Sequence, residues 1–129
     1  MIVVAAAVLR EAPGAAVLLT RRLEGAHLAG LWEFPGGKVE AGEDPEQTVV
    51  RECLEEIALE VEVVEILEVA WHSFREKDVL LLFYDCRLRG GALTHLGVAD
   101  SAWVMPGSLP DYDLPPPDQR LVRKLIAGR

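Results

Sequence analysis

The sequence predicts an α/β or α+β layered domain. Strands rich in Val and Ala precede a central helix, further strand segments follow it, and an amphipathic helix closes the chain. A length of 129 residues suits a single domain, residues 1–129, with enough chain for one core. Residues 2–10 read as a buried strand. Ala12-Pro13-Gly14 turns the chain, and residues 15–21 supply the hairpin partner. A glycine-punctuated loop from Leu23 to Gly30 leads to a short strand, Trp32-Glu33-Phe34, which delivers the chain to Pro35-Gly36-Gly37.

The central helix has a defined start. Asp44 is a good N-cap, Pro45 fits the first helical position, and Gln47 stands at the third, which together make a capping box. Val49, Val50, Cys53, Leu54 and Ile57 form its apolar side. Beyond it, Glu60-Val61-Glu62-Val63 alternates as a half-exposed strand does. Strands are also expected over residues 66–72, 79–88 and 102–104. Residues 87–91 and 106–117 read as turns or loops. The last helix, residues 118–127, carries Leu121, Val122, Leu125 and Ile126 on one side.

Chemistry concentrates between Gly37 and Leu59, in GKVEAGEDPEQTVVRECLEEIAL. Glu52, Glu55 and Glu56 stand at i, i+3 and i+4, so one helix face carries three carboxylates. Like charges this close repel unless one takes up a proton or a cation arrives. An all-oxygen site suits a hard divalent ion such as Mg²⁺, which commonly bridges carboxylates to substrate phosphates. The bland alternative is a solvated helix face.

This stretch resembles the Nudix box, Gly-x5-Glu-x7-Arg-Glu-U-x-Glu-Glu-x-Gly-U, through Gly37, Glu43, Arg51, Glu52, Glu55, Glu56 and Leu59. Cys53 replaces an aliphatic residue, a mild change because cysteine packs as a small hydrophobe. Ala58 replaces a glycine that would end the helix with positive φ, which alanine resists. The resemblance implies a Nudix-type α/β/α sandwich with a mixed β-sheet, and hydrolysis of a nucleoside diphosphate linked to another moiety. It implies that Glu52, Glu55, Glu56 and the Gly36 carbonyl hold Mg²⁺ or Mn²⁺, which neutralises phosphate oxygens and activates water. Gly36 and Gly37 would let the backbone bend and approach the phosphates. Arg22 and Lys38 are candidate phosphate-binding cations or solvated loop residues. Arg51 is expected to pair with Glu43 and fix the helix to its loop.

Outside the box, Thr20-Arg21-Arg22, His27, Leu31 to Lys38 and Pro116-Pro117-Asp118 resemble the MutT-like and CTP pyrophosphohydrolase-like branch. That branch converts nucleoside triphosphates, often oxidised or modified, to monophosphate and pyrophosphate. Phe34 would form a wall of the base pocket or pack in the core. Asp118 stands where 8-oxoguanine-specific members carry asparagine. Ionised, it only accepts hydrogen bonds and suits an exocyclic amine; protonated, it could serve 8-oxoguanine; or it caps the last helix. Gly97 stands where many relatives place a glutamate, about six residues before Trp103. Asp100, His95 or a box glutamate are the candidate replacements. A diphosphate derivative such as ADP-ribose as substrate, and a non-catalytic nucleotide sensor, are the competing expectations.

A net charge of −8 without a basic stripe argues against a nucleic-acid backbone as partner and leaves small nucleotides open, because a bound cation reverses the local field. Cys53 and Cys86 lack metal-ligand spacing and are expected as buried free thiols of a cytoplasmic protein. The apolar start, Ile2 to Leu9, lacks a basic flank and reads as a core strand rather than a signal peptide. No segment is long enough to span a membrane. Monomer and homodimer are equally compatible with the sequence.

Overall fold

The computed structural model describes residues 1–12, 15–26 and 29–128. Pro13 and Gly14 of the expected turn, and His27, lie outside them. The first strand, β1 (Ile2–Arg10), is apolar from Ile2 to Leu9, as suits a strand covered on both faces. Ala5, Ala7 and Leu9 enter one core, while Ala6 and Val8 enter the other. β2 (Val17–Arg21) returns antiparallel, with Val17 opposite Arg10. β3 (Trp32–Glu33) pairs with β2, and β4 (Gly36–Lys38) runs antiparallel to β1. After helix α1 (Pro45–Ile57), the hairpin of β5 (Leu59–Ser73) and β6 (Asp78–Gly91) lays β6 parallel to β1, with Val79 opposite Ile2. β7 (Asp100–Val104) pairs with β2. The described residues thus form a mixed seven-stranded sheet whose spine runs β3-β2-β1-β6-β5.

The two helices cover opposite faces. Val49, Cys53 and Ile57 of α1 pack on Ala5, Ala7 and Leu9. Leu121, Val122 and Leu125 of α2 (Gln119–Ile126) pack with Ala6, Val8 and Phe83. This is the α/β/α sandwich that the resemblance implied. Cys53 and Cys86 are free and buried in the α1-side core. No helix of the described residues is long and apolar enough to cross a membrane.

Four expectations need correction. The strands expected at 60–63 and 66–72 are one continuous strand, because bulges at Glu60/Val61, Val63/Glu65 and Ile66/Glu68 absorb the breaks in alternation. Residues 87–91, expected as a turn, extend β6, since their partners on β5 hold them in the ladder down to Leu59 opposite Gly91. The segment 106–117 contains 3₁₀ turns, Pro106–Asp111 and the start of Pro116–Asp118. Gly36 and Gly37 do not bend the chain; they lie in β4, and neither is among the glycines of positive φ.

Ala58 accepts the conformation that its side chain disfavours. It ends α1 at φ 58° and ψ 30°, and its N–H reaches the carbonyls of Cys53 and Leu54. Tertiary contacts hold this end: Thr94 N–H donates to Ile57 O at 3.0 Å, and Leu96 and Gly97 N–H both donate to Glu56 O at 3.0 Å. The left-handed region costs an L-residue about 1–2 kcal/mol that glycine avoids. Ala58→Gly is therefore expected to raise the unfolding free energy by about 1 kcal/mol. Urea unfolding should show a higher midpoint with an unchanged slope.

Candidate active site

The start of α1 is locked to the loop before it. Asp44 accepts from Glu46 N–H at 2.8 Å, while Gln47 accepts from Asp44 N–H at 3.4 Å, closing the capping box. Glu43 accepts from Thr48 Oγ1 at 2.6 Å and takes a two-pronged contact from Arg51, at 2.7 Å from Nε and 2.9 Å from Nη2. The Arg51 hydrogen bonds, with that of Thr48, pull the Glu43 carboxyl down to about 2. Arg51 Nη2 also donates to Lys38 O at 3.3 Å, which ties the helix to β4. Arg51 thus pairs with Glu43, as the resemblance implied.

The three box carboxylates have different surroundings. Glu56 faces a cleft and accepts from Gly36 N–H at 3.3 Å. Burial, then Glu33 and Glu52, raise its carboxyl to about 8, against the opposing Gly36 hydrogen bond and Arg22. Glu52 packs under Gly37 with 17% of its side chain exposed, and Arg51 holds it at 2.8 Å. Burial still pushes Glu52 above its ordinary range, with Glu55 and Glu43 adding to the rise and Arg51 opposing it. Glu55, 59% exposed, turns outward to Arg51 at 3.2 Å. As the side chains stand, no three acidic or other metal-ligating groups among the described residues enclose an ion position.

The cleft, of about 220 Å³, opens between β1, β4, β6 and the turn before α2. Arg22, Phe34, Gly36, Gly37, Lys38, Glu56 and Asp118 all line it, so it gathers substrate and metal candidates from four separate parts of the chain. Arg22 pairs with Glu33 at 2.6 Å inside this cleft. Phe34 packs edge-on to Phe83 at 5.9 Å, the core role expected of it, and also lines the cleft. Asp118 precedes α2 but makes no side-chain capping bond, so capping does not account for it. It is 3% exposed, and burial, then the charge of Glu33, raises its carboxyl to about 7.

Three cleft residues escaped the reading of the sequence. Glu33 is held above its ordinary range by burial, against the pull of Arg22. An acid between Trp32 and Phe34 in a strand was the available signal. Phe74 and Lys77 arrive on the β5–β6 turn, where Phe74 N–H donates to Lys77 O at 2.8 Å, and only the hairpin brings them to the cleft. Gly97 lies beside Glu56, and a Cβ there would meet Glu56 Cα at 3.5 Å, an ordinary contact. Of the proposed replacements, His95 is bonded to Ser101 Oγ at 2.8 Å, and Asp100 accepts from Ser101 N–H.

Close approach constrains both glycines of β4, Gly36 by backbone and Gly37 by a side chain. A Cβ at Gly36 would strike the Ala5 carbonyl and come to 2.6 Å from Ala6 Cα, both backbone atoms. A Cβ at Gly37 would meet Glu52 Cδ at 2.5 Å, where only a side chain must move. Gly36→Ala is therefore expected to lower Tm markedly. Gly37→Ala should keep the fold and lower kcat by about tenfold or more, if the Glu52 carboxylate that it displaces serves the reaction. Thermal melts and steady-state kinetics on both variants separate these outcomes.

The NUDIX domain profile matches residues 1–125. The chain is 35% identical over 126 residues to the 8-oxo-dGTP diphosphatase of Haemophilus influenzae, covering 98% of this chain and 92% of that protein. It is 32% identical over 113 residues to the CTP pyrophosphohydrolase of Escherichia coli, covering 88% and 84%. The crystal structure of the MutT protein from Methanosarcina mazei Go1 superposes with a TM-score of 0.87 at 26% identity, covering 98% and 93%. A family profile that spans the sheet and both helices, with a match this close to a MutT structure, shows that the chain belongs to the NUDIX domain family and is a MutT-like Nudix hydrolase.

Proposed function

We propose that the protein hydrolyses nucleoside triphosphates, ribo- or deoxyribo- and including oxidised or modified bases, to monophosphate and pyrophosphate with Mg²⁺ or Mn²⁺. The observation that carries this reading is one cleft with Glu56 and Gly36 at its β4 edge and Phe34 and Asp118 elsewhere in its lining. Relatives named for 8-oxo-dGTP and CTP support it from outside the chain.

The residues fit a hard cation. Their donors are all oxygen, and Glu33, Glu52 and Glu56 are each held above the ordinary carboxylate range, a strain that a divalent charge relieves. The missing Cβ of Gly37 leaves room for the Glu52 carboxylate beside the strand. Glu52, Glu56 and the Gly36 carbonyl would hold the ion, with Glu55 joining them by turning from its exposed contact with Arg51. Bound there, the ion supplies charge neutralisation of phosphate oxygens and an acidified water.

The chain's own groups do the rest. Arg22 and Lys38 contact phosphate oxygens, Phe34 packs against the base, and Asp118 reads its edge. Arg51 and Glu43 hold α1 against β4 so that the carboxylates keep their positions. Water oxygen bonds to phosphorus as the bridging P–O bond between the α- and β-phosphates breaks, and a carboxylate takes the water proton. Buried free thiols at Cys53 and Cys86 suit a reducing compartment such as the cytoplasm.

A product-resolved screen tests the reading. Ordinary, 8-oxo, 2-hydroxy and methylated triphosphates should be compared with ADP-ribose and nucleotide sugars. At least one triphosphate should give monophosphate and pyrophosphate with a kcat/KM about tenfold or more above any diphosphate derivative, a gap of ~1.4 kcal/mol. Preference for ADP-ribose, or no turnover of any triphosphate, refutes it.

A further inference from the structure

A second groove, of about 330 Å³, lies between β5 and α2 on the far side of Pro117, which borders both it and the cleft. Its walls join an aromatic face to two cations. Trp71 is 56% exposed on β5, the strand at the end of the sheet's spine. Arg120 and Arg123 stand three residues apart on α2, so their side chains share one helix face.

Neither arginine is spent on the fold. The salt bridges of the described residues use Arg10, Arg22, Arg51, Arg89 and Lys124 and leave Arg120 and Arg123 out. Lys124 is the contrast one residue on, bonded to Leu67 O at 2.6 Å and paired with Glu68 at 3.3 Å. Two exposed guanidinium groups thus stand beside an exposed indole on a chain of net charge −8. An exposed tryptophan offers a stacking face to any base, and arginine forks match phosphate oxygens. A solvated helix face would explain the arginines alone; Trp71 is the most exposed of the large apolar side chains on β5, ahead of Val64, Ile66 and Val69.

We propose that this groove is a nucleotide-binding site separate from the catalytic cleft. A base stacks on Trp71, and its phosphate is held by Arg120 and Arg123. The nucleotide is either a free monophosphate or one unit of a single strand, since both present the same base and phosphate. The assignment does not depend on which substrate the cleft hydrolyses.

Calorimetric titration of the whole protein with Mg²⁺ present tests it, using a nucleoside monophosphate in one arm and a four-nucleotide single strand in the other. At least one should fill a site that Trp71→Ala weakens about tenfold, as the loss of a stacked base does, and that Arg120→Glu/Arg123→Glu abolishes. Trp71→Phe and Arg120→Lys/Arg123→Lys should restore most of the binding. Asp118→Ala should leave this site in place, and Arg120→Glu/Arg123→Glu should leave triphosphate hydrolysis at the wild-type rate. Filling by the monophosphate identifies a free nucleotide, and filling by the strand alone identifies a strand. Binding of neither overturns the proposal, as does binding that Asp118→Ala removes while the groove variants do not.

Discussion

Glu56→Gln is expected to lower kcat by about 10²–10³-fold or more while making the metal-free protein more stable at alkaline pH. The kinetic loss follows from position: Glu56 is the box carboxylate that lines the cleft, and the β4 backbone fixes it through Gly36 N–H. The stability gain follows from its surroundings. Burial, with Glu33 and Glu52 nearby, raises its carboxyl from an ordinary 4.5 to about 8. The folded state therefore binds this proton more tightly than the unfolded chain does. The stability that goes with the proton is complete below about 4.5 and is lost as pH climbs through about 8. Glutamine is neutral throughout and escapes that loss.

Thermal melts in EDTA should place the variant above wild type at pH 9, with the gap closing by pH 5. A difference of ~1 kcal/mol moves Tm by roughly 3–5 °C in a domain of this size. Under the proposed function Mg²⁺ should reverse the order at high pH, because the wild-type site would gain more from binding it than the variant would. A Glu56→Gln enzyme within about tenfold of wild-type kcat, ~1.4 kcal/mol, would remove Glu56 from the reaction.

Asp118→Asn is expected to change which base the enzyme prefers. Asp118 is buried in the cleft without a capping bond, and burial together with Glu33 raises its carboxyl to about 7. Below that pH it carries a proton and can donate to a base that offers an acceptor, such as the O6 of 8-oxoguanine. Above it the carboxylate only accepts, which suits the exocyclic amine of cytosine or a modified adenine. For the first kind of substrate kcat/KM should fall as pH rises through about 7, and for the second it should rise. Asparagine, with a donor and an acceptor at every pH, should flatten both profiles. It should also shift the ratio of the two kcat/KM values by about 10–100-fold, the range of a buried hydrogen bond left unmade. Parallel pH profiles for the two proteins would show that Asp118 does not read the base.

The α1 start was legible in the sequence because its determinants are local. Asp44, Pro45 and Gln47 sit within one turn, and the structure closes the capping box they spell. The pairing of Arg51 with Glu43 was also legible, through the box resemblance: Glu43 stands just before the helix and Arg51 two turns in, close enough in the chain to meet. The strands of the β5–β6 hairpin were legible only in pieces. Its bulges break the alternation that signals a strand, and only the register with β6 shows that the chain stays in the sheet.

Local spacing fixed the sandwich elements, the carboxylate-bearing helix face and the family signature. Tertiary structure alone decided what each acid became. Glu56 lies in the cleft and Glu55 in solvent although they are neighbours on one helix, because β4 covers one side of α1 and leaves the other open. It also brought in Glu33, Lys77 and Asp118 from three distant segments. Periodicity records which face of an element is apolar. The charge state and use of a buried acid depend on the low-dielectric surroundings and neighbouring charges that remote segments supply.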